Sequence, residues 1–478
     1  MIVNMTMLIP LLTLTLTTDA GGEPPAARPD LVFILSDDHR SDFLSCAGHP
    51  FLQTPHIDAL AAHGVRFENA FVTTSICAAS RATILTGLYE RTHGFTFGTP
   101  PIAAADAADS YPARLKAAGY RTGFVGKWGV AVEGGLSMRG QGDASALFDV
   151  IEMLGRNPYF KPQPDGSLRH VTDLAGDACV RFISGTPADR PLCLSLSFNA
   201  AHAEDSDHDR QYPYPFAEAG LYAGADVPPP VVQTDFWKDL PAFFHDSMHR
   251  TRYGWRWDTP EKYEANYRNY CRLLTGMDRN VGRVVEALEV SGRLPNTVVI
   301  FLGDNGYYAG SRGFAGKWSH YDESLRVPLI VCDFRAQSQG RVSDAVALNL
   351  DITPTLLAYA GVTAPERYQG GSLRRLVEQT DVEPLRQEFF IEHRMDRFDI
   401  PKYEGLRGPR LKYARYYEQP AEVAEFLHDL TADPKELENL ARDPQYADEL
   451  ADLRRRTDEW SDRLHVAHRR SHREPASP

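Results

Sequence analysis

The sequence predicts an α/β fold, a mostly parallel sheet flanked by helices, followed by a smaller C-terminal α+β subdomain. Continuous apolar runs recur at residues 31–35 (LVFIL), 124–125 (FV), 193–198 (CLSLSF), 298–302 (VVIFL) and 328–332 (PLIVC). Runs without polar alternation suit strands buried on both faces of a parallel sheet. Helical patterns separate them, and strands alternating with helices point to parallel crossovers. After about residue 365 the pattern changes. Residues 389–393 (FFIEH), Leu406 and residues 411–417 (LKYARYY) read as antiparallel strands.

The helices follow from their punctuation. Residues 56–62 stop at Gly64, and residues 111–118 stop at Gly119. Residues 261–290 carry Tyr267, Leu274, Val281, Val285 and Leu288 at helical spacing and end near Gly292. Asp351 is placed to cap a helix over 353–360 that ends at Gly361. Residues 447–464 form a charged amphipathic helix, and the polar tail 468–478 is expected to fray. Segment 203–260, rich in Pro and aromatic residues, reads as an elaborated loop region. The expected divisions are 30–365 for the α/β domain and 366–478 for the C-terminal subdomain.

Composition narrows the function classes. The 478 residues are 43% hydrophobic and 24% charged, which excludes wholesale disorder and a multi-span membrane protein. A net charge of -13 argues against sequence-independent binding of nucleic acid, while leaving room for a local basic pocket. The apolar run at 7–16 is too short to span a bilayer. It resembles the core of a secretory signal with cleavage after Ala20, although no Lys or Arg precedes it. Residues 1–20 are therefore expected to be a signal peptide directing the protein to the periplasm or outside the cell. Residues 21–29 form a Pro/Gly/Ala linker. The six cysteines show neither CxxC pairing nor zinc-ligand spacing. Cys46, Cys179, Cys193, Cys271 and Cys332 read as ordinary small thiols.

The chemistry lies after the apolar runs. Asp37-Asp38 follows the first, and Asp304-Asn305 follows 298–302. In a parallel sheet both clusters reach the same edge, where ligands bind. Three carboxylates and an amide oxygen make a hard-oxygen site that suits calcium or magnesium better than zinc or copper. Each Asp taken alone reads rather as a turn or helix cap. Residues 75–83 (SICAASRAT) enter a helix, with Cys77 and Arg81 four apart on one face. A helix start favours an anion and activates a thiol.

Cys77-Ala78-Ala79-Ser80-Arg81, followed by Leu85-Thr86-Gly87-Leu88-Tyr89, resembles the signature of the type I, formylglycine-dependent sulfatases. The resemblance covers nearly the whole chain. Asp37-Asp38, Gly126-Lys127-Trp128, the His202 turn, Gly303-Asp304-Asn305-Gly306 and Gly316-Lys317 stand in the family order. Leu427-His428-Asp429-Leu430, Asp433-Pro434 and Glu438-Asn439-Leu440 resemble the family's small C-terminal subdomain. The resemblance implies an alkaline-phosphatase-like fold and hydrolysis of sulfate esters. It implies that a maturation enzyme oxidises Cys77 to formylglycine, whose hydrate attacks sulfur. It also implies one calcium ion held by Asp37, Asp38, Asp304, Asn305 and the modified Cys77. Arg81, Lys127 and Lys317 would then neutralise sulfate oxygens, and His202 would protonate the leaving oxygen.

Two positions depart from the pattern. Ala79 stands where proline is commoner, which bears on the maturation enzyme. Gly129 stands where the family usually has a histidine. His39, His93 and His320 are candidates to replace it. Residues 250–257 (RTRYGWRW) interleave basic and aromatic side chains, suited to a sulfated saccharide or to core packing. Two alternatives stay open: a phosphodiesterase or phosphonate hydrolase on the same fold, and a catalytically impaired saccharide-binding homologue.

Overall fold

The computed structural model describes residues 28–336, 340–420 and 424–471. The expected signal peptide and most of the linker therefore lie outside the described residues, as does the tail beyond Ser471.

The main sheet contains, in chain order, β1 (Asp30–Ser36), β2 (Val65–Phe67), β3 (Arg121–Gly126), β4 (Val150–Met153), β5 (Leu192–Ser197), β6 (Thr297–Gly303), β7 (Leu329–Asp333) and β8 (Arg341–Ser343). Their spatial order is β8-β2-β7-β6-β1-β5-β3-β4. The five strands β6-β1-β5-β3-β4 are parallel, and β7 runs antiparallel to both its neighbours. The five apolar runs are β1, β3, β5, β6 and β7, as expected. The short strands β2, β4 and β8, the last two at the sheet's edges, were not.

Alternation along β1 explains the layers. Leu31, Phe33 and Leu35 face one side, and Val32 and Ile34 the other. Helices α1 (Pro55–His63), α4 (Val171–Ser184) and α6 (Pro260–Val290) cover the second face, through residues such as Ile57, Phe182 and Met277. Helices α2 (Cys77–Thr86), α3 (Tyr111–Ala117) and α7 (Ile352–Tyr359) cover the first, through Ile84, Leu115 and Leu356. A second, antiparallel sheet follows, made of β9 (Phe389–His393), β10 (Tyr403–Arg407), β11 (Leu411–Tyr416) and β12 (Glu425–Asp429). Its Phe389, Tyr403 and Leu427 join the same apolar core as Leu31 and Phe33. Helix α8 (Ala447–Ser471) closes it, running past the point where fraying was expected.

Three expectations need correction. Segment 203–260 holds α5 (Met248–Arg256), whose His249, Tyr253 and Arg256 are buried. Asp351 stands at the start of α7 but does not cap it. Its carboxylate instead accepts the amides of Leu348 and Gly371, both at 2.8 Å, and binds Arg386. Helix α4 was not anticipated at all. Among the described residues no helix is long and apolar enough to cross a membrane.

Candidate functional site

Backbone pairing carries the sheet into the site. Ser36 lies opposite Gly303 on β6, and Ser197 opposite both Leu35 and Gly126. Beyond the strand ends, Asp304 N–H donates to Ser36 O (2.9 Å), Asp37 N–H to Ala200 O (2.8 Å) and Lys127 N–H to Ser197 O (2.8 Å). Four neighbouring strands thus deliver Asp304, Asp37, His202 and Lys127 side by side. Helix α2 brings Cys77 to the same edge, and Arg81 stands one turn further on. Arg81 ties the strand ends together. Its Nε and Nη2 lie 2.9 and 2.8 Å from Asp304 Oδ2, and Nη1 donates to Lys127 O (2.7 Å) and to Ser197 Oγ.

Asp37, Asp38, Asp304 and Asn305 are all buried. Lys127 Nζ binds Asp37 Oδ2, and Lys317 Nζ binds Asp38 Oδ1. Asn305 Nδ2 donates to Asp38 Oδ1 at 2.8 Å, and Asp38 N–H to Asp304 Oδ1 at 3.2 Å. Asp37 Oδ1, Asp38 Oδ2 and Asn305 Oδ1 are left buried without a donor. Buried oxygens with no donor are costly unless a cation satisfies them. The donor set therefore fits a hard divalent ion. Ligand atoms of Asp37, Asp38 and His202 fall within 4.8 Å of one another. His202 was not expected in this cluster.

His202 Nδ1 lies 2.7 Å from the Ala203 carbonyl, so Nδ1 carries the proton and Nε2 the lone pair, 3.6 Å from Asp38 Oδ2. Tyr159 fixes the turn by donating to the carbonyls of Asn199 (2.8 Å) and His202 (2.6 Å). Burial, then Arg156, Lys317, Lys127 and Arg252, hold His202 well below an ordinary histidine pKa. Burial opposes the charge on both Asp37 and Asp304. At Asp37, Lys127, Arg81 and Lys317 overcome it and the pKa falls. At Asp304 the charge of Asp37 adds to burial and the pKa rises.

Cys77, Lys127, His202 and Lys317 open onto a cleft of about 840 Å³. The structure thus brings together all nine residues singled out from the sequence: Asp37, Asp38, Cys77, Arg81, Lys127, His202, Asp304, Asn305 and Lys317. It does not bring the three candidate substitutes for the missing histidine. His39 spends its nitrogens on Ser36 Oγ and Phe43 O, His93 on Thr83 Oγ1 and Phe95 N–H, and His320 on Tyr416 and His428. Among the described residues lining the cleft, His202 is the only histidine.

Of residues 250–257, Arg252 alone lines the cleft. Arg256, Tyr253 and Trp257 are packed inside. Arg156 also lines it and was missed, because its place follows from β4, an edge strand too short to stand out. Burial, with the charge of nearby Arg256, pulls Arg252 below the usual arginine range.

A family model described as Sulfatase matches residues 29–362, and one described as N-sulphoglucosamine sulphohydrolase, C-terminal, matches residues 310–463. An N-acetylglucosamine-6-O-sulfatase of Bacteroides thetaiotaomicron is 26% identical, over 94% of this chain and 89% of its own. Arylsulfatase A of Homo sapiens is 30% identical, over 87% of this chain and 79% of its own. A solved structure of a protein with its substrate D-glucosamine-2-N,6-O-disulfate shares the fold with a TM-score of 0.77 at 23% identity. That match covers 94% of this chain and all (100%) of the other. A phosphonate monoester hydrolase of Agrobacterium radiobacter shares the fold with a TM-score of 0.73 at 22% identity, over 93% and 96%.

Proposed function

The chain belongs to the sulfatase family and is one of its hydrolases, and from that premise we propose that it cleaves sulfate esters of a saccharide using a formylglycine made from Cys77. The observation that carries this reading is the three donorless oxygens of Asp37, Asp38 and Asn305, buried behind the cleft that Cys77, Lys127, His202 and Lys317 line. In it, Asp37, Asp38, Asp304 and Asn305 hold one calcium ion. That ion would supply a positive charge for the sulfate and the nucleophile, and formylglycine would supply a hydrated hydroxyl in place of the thiol.

The chain's own residues do the rest. Lys127 and Lys317 bind the sulfate oxygens and neutralise the charge that develops on them. Arg81 holds Asp304 in place through its fork. His202, oriented by Ala203 and Tyr159, moves a proton at Nε2 to the leaving oxygen. Burial and the surrounding cations keep the free ring neutral; the negative charge of a bound sulfate opposes them, so that Nε2 takes up a solvent proton before passing it on. The B. thetaiotaomicron relative makes an N-acetylglucosamine 6-O-sulfate the first saccharide to try. Such a substrate suits an exported enzyme with residues 1–20 as its leader.

The test begins with the tryptic peptide containing Cys77, from protein made in its native host. The expected result is an aldehyde in place of the thiol, with sulfate released from the sugar. Turnover should be lost on chelation and restored by calcium. An unmodified thiol, in a host that matures other sulfatases, would overturn the mechanism. Faster cleavage of a phosphonate monoester than of any sulfate ester would move the reaction to that class.

A further inference from the structure

Charge is unevenly matched on one wall of the cleft. Arg156, Arg252 and Arg256 all pair with a single carboxylate, Asp205. Arg156 Nη2 and Arg252 Nη2 lie 3.3 and 2.9 Å from Asp205 Oδ2, and Arg256 takes Oδ1. The neighbouring Glu204 does not help, because its carboxylate accepts Tyr159 N–H (3.2 Å) and the Ser206 hydroxyl (3.3 Å). Three guanidinium groups against one carboxylate leave a surplus of two positive charges.

The three arginines are not equivalent. Arg256 is wholly buried and also donates from Nε to the Gln211 side chain; its Nη1 has no partner, but it does not line the cleft and so is out of reach of a ligand there. Arg156 donates from Nε to Ala203 O (3.1 Å), beside the His202 turn, and lines the cleft. Arg252 lines the cleft too. Its Cζ lies 4.9 Å from the Trp318 ring centre, and its Nε and Nη1 are shielded from solvent with no hydrogen-bond partner. An unpaired cationic donor in a low-dielectric wall is costly by itself and is satisfied by an anion.

We propose that Arg252, with Arg156, forms a second anion subsite beside His202 that selects saccharides bearing a second acidic group, a sulfate or a carboxylate. The proposal rests on the sulfatase reading for the reacting sulfate, which Lys127 and Lys317 take. The second group is read by different residues, on the Asp205 wall.

The test compares kcat/KM within two substrate pairs. One pair is glucosamine 6-O-sulfate against glucosamine 2-N,6-O-disulfate. The other is N-acetylglucosamine 6-O-sulfate against the same sugar linked to a uronic acid. The expected result is a preference of about tenfold or more for the doubly acidic member of one pair, as befits a forked charge-assisted contact. Which pair shows it tells sulfate from carboxylate. Arg252→Gln should bring that ratio to within about twofold, and Arg252→Lys should keep part of it. Asp205 retains two arginines in both variants, and a melting curve verifies that they fold. A ratio near one for the wild type in both pairs, or a ratio unchanged by Arg252→Gln, would overturn the subsite. Should matured protein turn over no sulfate ester, the sulfatase reading falls by itself. Calorimetry of the same pairs on Cys77→Ala then decides the subsite: tighter binding of a doubly acidic member, lost on adding Arg252→Gln, supports it, and equal binding overturns it.

Discussion

Lys317 is almost completely buried, yet burial does not strip its charge. Asp38, with Cys77 and Asp37 nearby, raises its pKa above an ordinary lysine's. A permanent cation at this position is what a developing sulfate charge requires. Lys317→Ala should therefore lower kcat/KM for a sulfate ester by about 10²–10³, the usual cost of losing one such donor, as steady-state assays would record. Gly129 makes the opposite case. Its φ of 78° lies in the left-handed region, and a Cβ there would sit 3.2 Å from Arg81 Cδ. Restoring an imidazole would press on the residue that holds Asp304. Gly129→His should lower kcat rather than raise it. A rise would mean that the backbone yields and that the absent ring limits turnover.

Helix α1 has no side-chain cap of its own at Thr54. Asp278 of α6 does that work from outside, accepting the amides of His56 (3.2 Å) and Ile57 (2.7 Å). Burial is the larger influence on this carboxyl and raises its pKa to about 7 against the bonds that favour its charge. The folded state then holds a proton that the unfolded state has released, so stability falls as pH rises from about 4 to about 7. Asp278→Asn removes that loss. Urea unfolding should show the variant gaining on the wild type by about 1.4 kcal/mol per pH unit across this window, with no further gain above it. Elements like these also show what a sequence discloses. The β-strands that carry the site were legible because both of their faces are buried and their runs are continuous. Helix α4 was not, although its apolar spacing is regular. Gly176 interrupts it on paper, while in the fold a Cβ there would meet Asn280 of α6 at 2.2 Å. Helix α5 was hidden because its buried face is His249, Tyr253 and Arg256 rather than aliphatic residues. Arg252 and Arg156 could not be assigned to the cleft for the same reason: their positions depend on elements without a sequence signature. Asp37, Asp38, Asp304 and Asn305 follow legible strands, and Cys77, Arg81, Lys127, His202 and Lys317 stand in motifs that carry the family resemblance, so none of the nine needed such information.

Across the whole molecule, the C-terminal sheet and the main sheet share one apolar core and one buried polar knot. Arg91 donates to Glu392 (3.1 Å), Glu404 (2.7 Å), Tyr417 (2.7 Å) and Ser461, joining the segment after α2 to β9, β10 and α8. Arg91→Ala would leave the buried Glu392 carboxylate without its cation, while Glu404 would keep Arg415. It should cost about 3–5 kcal/mol of stability, read from the urea midpoint, and should speed proteolysis between the two sheets. The pairing of β1 with β6 has a further consequence, in time. It joins Asp37 to Asp304, with Cys77 between them in the chain. Synthesis at roughly 5–20 residues per second leaves Cys77 waiting roughly 10–45 s before Asp304 has been added. Through that interval the future α2 has no finished sheet edge to lie against, so an enzyme acting on Cys77, as the proposed function requires, would meet an open segment. Completion of β6 would end that access, and the order of synthesis would set the time open for such a reaction.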